Sequence, residues 1–185
     1  MAIRSNNLLF TGLLAWALAP QTQAECLGTT DAEQLAQAVG SALSAYSTGN
    51  GSGFPPAAEM AMSTILPCVR TPIELDLVAD VHLVEALRSY VRNKDDLSVP
   101  LAFGSLRAVA PEYTLPEDIA PPGTLVAELF DRFALPTERF MEVPAPVDGH
   151  LRLDGVERVV RSSYRPVLVQ RVDALGDVVD TAYLW

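Results

Sequence analysis

The sequence predicts an α+β protein, with a helical N-terminal part followed by a small antiparallel β-sheet or a partial β-sandwich. Apolar residues recur at the three-and-four spacing of helices up to about residue 135, and from about residue 139 they alternate with polar residues. Clusters of proline and glycine separate the individual segments. We therefore expect three parts: a leader over 1–24, a helical region over 25–135 and a β-rich region over 136–185.

The first 24 residues have the pattern of a signal peptide. Arg4 precedes an uncharged and nearly continuous apolar run over 8–19. That run is too short to cross a bilayer, since a spanning helix needs about 20 apolar residues. Pro20 and the small residues up to Ala24 complete the pattern, so we expect cleavage after Ala24 and a periplasmic or secreted protein. A buried N-terminal helix of a cytosolic protein is the alternative.

The charge balance disfavours nucleic acid as a partner. The chain has 13 basic and 23 acidic side chains and a formal net charge of -10, which becomes -11 if Arg4 leaves with the signal peptide. A phosphate-binding surface needs a basic stripe, and the only lysine in the sequence is Lys94. No second apolar run is long enough to span a membrane, so we expect no transmembrane segment after signal removal.

Two cysteines follow the leader, Cys26 and Cys68. An oxidising compartment favours a structural disulfide between them. The bond would close a loop of about 43 residues and stabilise the fold by about 4 kcal/mol on the chain-entropy model. With only two cysteines and two histidines, a zinc site is not expected, and we predict neither a metal nor a cofactor.

Five helices are predicted in the helical region. The first begins at an N-cap, Asp31, and carries apolar residues along one face. The second would end before Pro67, and Thr71-Pro72 has the cap and first-turn signature of the third. The predicted ranges are 31–46, 57–66, 71–93, 97–109 and 123–135.

A shift of 44 residues aligns the first two helices with the next two. Val39 then meets Leu83, and further aligned pairs include Ala42 with Ala86, Leu43 with Leu87, Tyr46 with Tyr90 and Pro67 with Pro111. This register indicates an internal repeat of helix pairs. Two unrelated amphipathic helix pairs that share apolar spacing are the alternative.

The sequence over about residues 36–111 resembles the tetratricopeptide repeat. In each unit the first helix carries Leu or Val, then Ala, Leu and Tyr, and the unit ends at a Pro. The residues that carry the resemblance are Leu83, Ala86, Leu87, Tyr90, Phe103, Leu106 and Pro111. The resemblance implies a peptide-binding face on the first helix of each pair, with the last helix as a cap. Carried onto this sequence, the expected partner-binding residues are Ser44, Val84, Arg88 and Val91.

The β-rich region contains two turn signals. Leu151 and Leu153 alternate with polar residues before Asp154-Gly155, and Gly176-Asp177 separates predicted strands over 166–172 and 178–185. The string from Gly149 to Gly155 resembles the opening of PEGA-type or carboxypeptidase-regulatory-type β-domains, over about 139–185. A small sheet packed on the helices and an independent domain remain alternatives.

No familiar catalytic constellation occurs in the sequence. His82 and His150 lack a nucleophile at any recognised spacing, so we predict no catalytic residue. The leading hypothesis is an exported, non-catalytic interaction or scaffold protein of the bacterial envelope with a protein or peptide partner. The alternative is a small hydrolase or a ligand- or metal-binding module that uses Asp76, Asp80 and Glu85, which would require paired carboxylates facing one cleft.

Overall fold

The computed structural model describes residues 26, 28–93, 97–132 and 139–185. These residues form five α-helices followed by six β-strands, which confirms the predicted α+β class. The predicted signal peptide and its cleavage point at Ala24 lie outside the described residues. Within the described ranges, no helix has both the length and the apolar character that a membrane span requires.

The first helix, α1 (Ala32–Ser47), begins where its capping residue predicts. Asp31 Oδ1 accepts the backbone N–H of Gln34 at 2.8 Å, and Gln34 Oε1 accepts the N–H of Asp31 at 3.1 Å. This reciprocal capping box satisfies two amide groups that the helix cannot pair internally. The inner face of α1 buries Leu35, Val39 and Ala42.

The second helical segment begins earlier than predicted. Helix α2 (Phe54–Glu59) starts three residues before the predicted position 57, because Pro55 and Pro56 fit a first turn whose N–H groups need no helical partner. The segment then continues as a π-helical stretch, Met60–Ile65, and a 3-10 turn, Leu66–Cys68.

The third helix, α3 (Leu75–Arg92), begins later than predicted, and the cap assigned to Thr71-Pro72 is wrong. The Thr71 hydroxyl oxygen accepts the N–H of Ala32 at 2.7 Å instead of capping its own helix. The Ile73 N–H donates to Gln170 Oε1 at 2.9 Å, so long-range contacts hold this segment extended. Helices α4 (Ser98–Val109) and α5 (Leu125–Arg132) follow, and α3 packs against both α1 and α4.

The strands form two antiparallel sheets. Their bounds are β1 (Phe140–Glu142), β2 (His150–Leu153), β3 (Val156–Glu157), β4 (Val160–Ser162), β5 (Val167–Val172) and β6 (Val178–Leu184). Strands β1 and β4 pair with each other, and the larger sheet has the order β3-β2-β5-β6. The turn predicted at Asp154-Gly155 is confirmed: Leu153 pairs with Val156 across it, and both turn residues have positive φ, at 51° and 78°.

One face of the four-stranded sheet packs on the helices. Leu168 of β5 belongs to the same buried core as the helices, and Tyr183 of β6 packs against that core. The opposite face carries a small separate cluster of Leu151, Leu153 and Val167. Of the two alternatives for the β-rich region, the structure therefore has a small sheet packed on the helices.

Buried and partly buried hydrogen bonds join this sheet to the helical part. Gln170 Nε2 donates to the carbonyl oxygen of Thr71 at 2.9 Å, and the Thr181 hydroxyl donates to the carbonyl oxygen of Val69 at 2.7 Å. Ser105 Oγ of α4 donates to the carbonyl oxygen of Pro166 at 2.6 Å. These directional contacts orient the sheet against the helices.

The predicted disulfide between Cys26 and Cys68 is confirmed, with a Cα–Cα distance of 5.5 Å. It ties the chain before α1 to the end of the 3-10 turn. Beside it, the Thr30 N–H donates to the Cys68 carbonyl oxygen at 3.0 Å, and the Arg70 N–H donates to the Thr30 carbonyl oxygen at 2.8 Å. The bond therefore closes a segment that backbone hydrogen bonds also join.

Candidate functional site

The four residues expected to bind a partner differ in their accessibility. Ser44 is exposed on α1, and Val91 is 44% exposed near the end of α3. Val84 has no exposed surface, because the middle of α3 is covered by neighbouring elements. Arg88 is largely covered and already has acidic neighbours. In this structure, Ser44 and Val91 are the two of the four that present a free surface.

Arg88 forms an ion-pair network that links α3 to the second helical segment. Its Nε lies 2.8 Å from Glu85 Oε2, and its Nη1 lies 3.0 Å from Glu59 Oε2. A hydrogen bond from Ser63, together with the charges of Arg88 and Arg92, lowers the pKa of Glu59 against an opposing effect of burial. The Arg88 guanidinium therefore stabilises two carboxylates of its own chain.

The acidic residues of the alternative hypothesis lie on α3 in different surroundings. Asp80 is half-buried, and burial followed by the charge of Asp76 raises the pKa of Asp80. Glu85 is buried and holds Arg88 and Ser89 through its two carboxylate oxygens. Over the ranges that the structure describes, no group of three or more histidine, cysteine, aspartate or glutamate side chains is placed to hold a metal ion.

An open cleft lies where the C-terminal ends of α1 and α3 meet the loop after α1 and the start of α5. We call it the aromatic cleft. Its volume is about 360 Å³. It is lined by Tyr46, Gly49, Asn50, Gly51, Phe54, Tyr90, Val91, Ile119, Pro121, Thr124 and Val126.

The loop that forms one wall of the cleft is held by Asn50. Asn50 Oδ1 accepts the N–H of Gly53 at 3.0 Å and the hydroxyl of Ser52 at 3.2 Å. The Phe54 N–H donates to the Asn50 carbonyl oxygen at 3.1 Å, so the loop leads directly into α2. Gly49 has a φ of +68°, a conformation that glycine adopts without steric cost.

Three aromatic rings define the apolar character of the cleft. The rings of Tyr46 and Phe54 pack edge to face, with centroids 5.1 Å apart. Burial, and then the neighbouring Tyr90 phenol, raises the pKa of Tyr46 to about 12. The Tyr46 hydroxyl therefore keeps its proton at physiological pH and can donate or accept a hydrogen bond.

The chemistry of this lining suits binding. Among the described residues that line the cleft, there is no carboxylate, imidazole, thiol, amine or guanidinium side chain. Apolar and aromatic walls with a few polar groups are typical of ligand pockets and of interface hot spots.

Tyr46 and Tyr90 fall on the apolar stripes of their predicted helices and were not among the predicted site residues. A signal was nevertheless present, because the 44-residue shift aligns these two tyrosines. In both helices the tyrosine lies in the last turn, where the partner helix no longer covers it fully. Val91 is the residue that the predicted binding face and the observed cleft share.

A second polar cluster lies at the interface between helices and sheet. His82, which has no exposed surface, places Nε2 at 3.2 Å from Asp154 Oδ1 and Nδ1 at 2.8 Å from the Tyr183 hydroxyl. Asp154 also accepts hydrogen bonds from Arg158 Nη2 and from the Leu168 N–H. Because a carboxylate only accepts hydrogen bonds, His82 donates from Nε2 to Asp154, and its Nδ1 shares a hydrogen bond with the Tyr183 hydroxyl.

The buried position of this cluster gives it a structural role. Burial, together with the charges of Glu85 and Asp154, raises the pKa of Tyr183 well above its ordinary value of 10.0. The side chain of His82 is inaccessible to a substrate. The cluster thus joins α3 to the β2–β3 turn and to β6.

No protein-family model matches this chain, and no curated protein or solved structure matches it. The resemblances to the tetratricopeptide repeat and to PEGA-type domains therefore remain predictions.

Proposed function

We propose that this chain is a non-catalytic interaction protein of the periplasm or the cell exterior that recognises a protein or peptide partner through the aromatic cleft. The single observation that carries the proposal is an open apolar cleft between the ends of α1 and α3, with two tyrosines in its wall. In protein interfaces, side chains of the partner become buried in exposed cavities of this kind.

Two features support a location outside the cytoplasm. The leader sequence has the order of charge, apolar run and small residues that export requires. The Cys26–Cys68 disulfide is compatible with an oxidising compartment, in which such bonds form and persist.

The occupant that fits the cleft is one bulky apolar or aromatic side chain of a peptide segment. The rest of the segment would remain outside the cleft. Phe54 and Val126 provide buried apolar surface, and Val91 adds a half-exposed apolar edge. The hydroxyl of Tyr46 can hydrogen-bond to the backbone of the segment that carries the inserted side chain. Tyrosine is also among the residues whose truncation lowers the affinity of an interface most.

The proposal is tested by selecting peptides on the oxidised protein and measuring their affinities by fluorescence anisotropy. We expect the selected peptides to share one large apolar or aromatic residue. Val91→Lys should weaken their binding by about tenfold or more, since it places a charge at the apolar wall. Val179→Lys on β6 is the matched control, because Val179 is a similarly exposed valine, at 37% against 44% for Val91.

Equal affinity of the selected peptides for both lysine variants would contradict a binding site at the cleft. Thermal unfolding of the two variants provides the folding control. Tyr90→Phe serves as a second probe, because it keeps the ring and removes only the hydroxyl. Its effect on affinity measures how much the phenol contributes beyond apolar contact.

The volume of the cleft favours a small apolar molecule as a second candidate occupant. Small-molecule pockets range from about 300 to 1,000 Å³, and the cleft lies near the lower limit. Calorimetric titration with an uncharged aromatic compound distinguishes the two candidates. Binding of the compound that Val91→Lys abolishes, together with a failure to select any peptide, would favour the small molecule.

A further inference from the structure

The β1–β4 ribbon, formed by Phe140–Glu142 and Val160–Ser162, leaves apolar side chains in solvent. Phe140 is 62% exposed, Met141 is 44% exposed and Val160 is 42% exposed. One end of the ribbon is anchored by apolar packing, where Val143 lies against the cluster of Leu151, Leu153 and Val167 on the outer face of the larger sheet. Exposed apolar side chains on an edge strand are typical of a surface that another strand covers.

The backbone of β1 has a free edge. The Val143 N–H donates to the Val159 carbonyl oxygen at 2.7 Å, and the Ser163 N–H donates to the Arg139 carbonyl oxygen at 2.9 Å. In an antiparallel pair, these bonds flank the non-hydrogen-bonded pairs of Glu142 with Val160 and of Phe140 with Ser162. The backbone N–H and C=O groups of Phe140 and Glu142 therefore point away from β4, and no described strand pairs with them.

Two arginines lie on one face of the ribbon, and the exposed Glu142 lies on the other. Within the part of the chain that the structure describes, the side chains of Arg139 and Arg161 form no ion pair and no hydrogen bond. The Arg161 Nη1 atom is inaccessible to solvent and lacks an acceptor. Because side chains alternate along a strand and opposed residues share a face, both arginines lie on the face of Met141, and Phe140 lies on the other face.

We propose that the free edge of β1 binds an extended peptide segment by strand addition, and that apolar and acidic residues alternate in this segment. Its backbone would pair with the outward N–H and C=O groups of Phe140 and Glu142. Its apolar residues would cover Phe140, and its carboxylates would lie on the face of the ribbon that carries Arg139 and Arg161. This surface is separate from the aromatic cleft, so the proposal does not depend on the proposed function.

A second copy of this chain is a poorer occupant of the same edge. Two-fold pairing of β1 with its copy would bring the arginines of both ribbons together. Like charges in an interface oppose association. A foreign segment with carboxylates at alternate positions avoids this repulsion between arginines at the ribbon.

The test uses the oxidised protein, purified after export of the full chain, and a fluorescein-labelled peptide of alternating valine and glutamate. Glu142→Pro removes the outward N–H and leaves the bonds between β1 and β4 in place, since proline is tolerated at a free edge. Glu142→Ala is the matched control, because it removes the same side chain but keeps the N–H. We expect Glu142→Ala to bind the peptide and Glu142→Pro to bind it at least about tenfold more weakly.

A peptide of alternating valine and lysine tests the charge. We expect it to bind at least about tenfold more weakly than the glutamate peptide. Equal binding of the two peptides, equal binding by the two Glu142 variants or no binding of the glutamate peptide would overturn the proposal. A dimer in sedimentation experiments that Glu142→Pro abolishes would also overturn it, because the occupant would then be a second copy.

Hydrogen exchange provides a readout that needs no substitution. In the unsubstituted protein, the glutamate peptide should slow exchange of the Phe140 and Glu142 amides by about tenfold or more, and the Met141 amide, which already faces β4, should change less. Unchanged exchange at Phe140 and Glu142 with bound peptide would contradict strand addition, even if Glu142→Pro fails to fold.

Discussion

The interior of the helical part and the interface between helices and sheet bury different kinds of side chain. Between the helices, the largest fully buried side chains are apolar, such as Leu35, Leu87 and Phe103. At the interface with the sheet, His82 and Gln170 are fully buried and hydrogen-bonded. Apolar packing is not directional, whereas a buried hydrogen bond is lost when its partners shift. The difference indicates that apolar contacts stabilise the helices and polar contacts set the position of the sheet.

Phe103→Ala is expected to have the largest effect on this comparison. Phe103 is fully buried and packs edge to face with Phe130 at a centroid distance of 5.3 Å. Its truncation should lower the free energy of unfolding by about 3–5 kcal/mol, through lost burial and the cavity left behind. Chemical denaturation measures this change. Phe140→Ala, at an exposed phenylalanine, is the matched control and should change stability by no more than about 0.5 kcal/mol.

Gln170→Leu is expected to have the next largest effect, about 2–4 kcal/mol, although leucine preserves most of the apolar volume. The Ile73 N–H and the Thr71 carbonyl oxygen would lose their partner, and an unsatisfied buried group costs about 1–3 kcal/mol. Hydrogen exchange at the Ile73 amide should accelerate. Gln37→Leu on the exposed face of α1 is the control. An unchanged stability of Gln170→Leu would show that apolar contacts alone position the sheet.

Asp80→Asn should have the smallest effect. It tests a half-buried carboxylate of the helical part, for which burial disfavours the charged form. Burial, then the charge of Asp76, raises the pKa of Asp80 above its ordinary value of 3.8. The folded protein therefore binds this proton more tightly than the unfolded chain. The contribution of Asp80 to stability is complete below pH 3.8 and is lost as the pH rises through the folded-state pKa.

Asparagine cannot ionise, so Asp80→Asn should be more stable than the unsubstituted protein at neutral pH, and the difference should vanish below pH 3.8. Because Asp80 is only half-buried, solvent limits the gain to less than about 1 kcal/mol. Thermal unfolding across this pH range measures the difference. Glu157→Gln on exposed β3 is the control, and a constant difference at every pH would contradict the assigned cause.

The sequence predicted the interior of the fold better than the candidate site. Apolar periodicity located α1 and α4 to within a residue or two, because the stripe of each helix repeats within a few residues. The same stripe included Tyr46 and Tyr90, and periodicity does not show where a covering element ends. The cleft exists because the loop at Asn50 and the segment around Ile119 stand beside the ends of two helices.

The predicted partner-binding residues show the same limit. Val84 was placed on an open face, but the structure buries it completely. Arg88 was expected to bind a partner, and in the structure Glu59, 29 positions away in the sequence, is one of its ion-pair partners. Neither contact follows from the spacing of residues on one helix, because both depend on which elements pack against α3.

The sequence alone determined the features whose partners are close in the chain or unique within it. Asp31 and Gln34 start α1, Asp154-Gly155 turns the hairpin, and Cys26 has only Cys68 to pair with in the printed sequence. Tertiary structure decided the late start of α3, the aromatic cleft and the contact of His82 with Asp154, 72 positions away. Local hydrogen bonding and periodicity act over a few residues, whereas these features require the complete packing of helices and sheet.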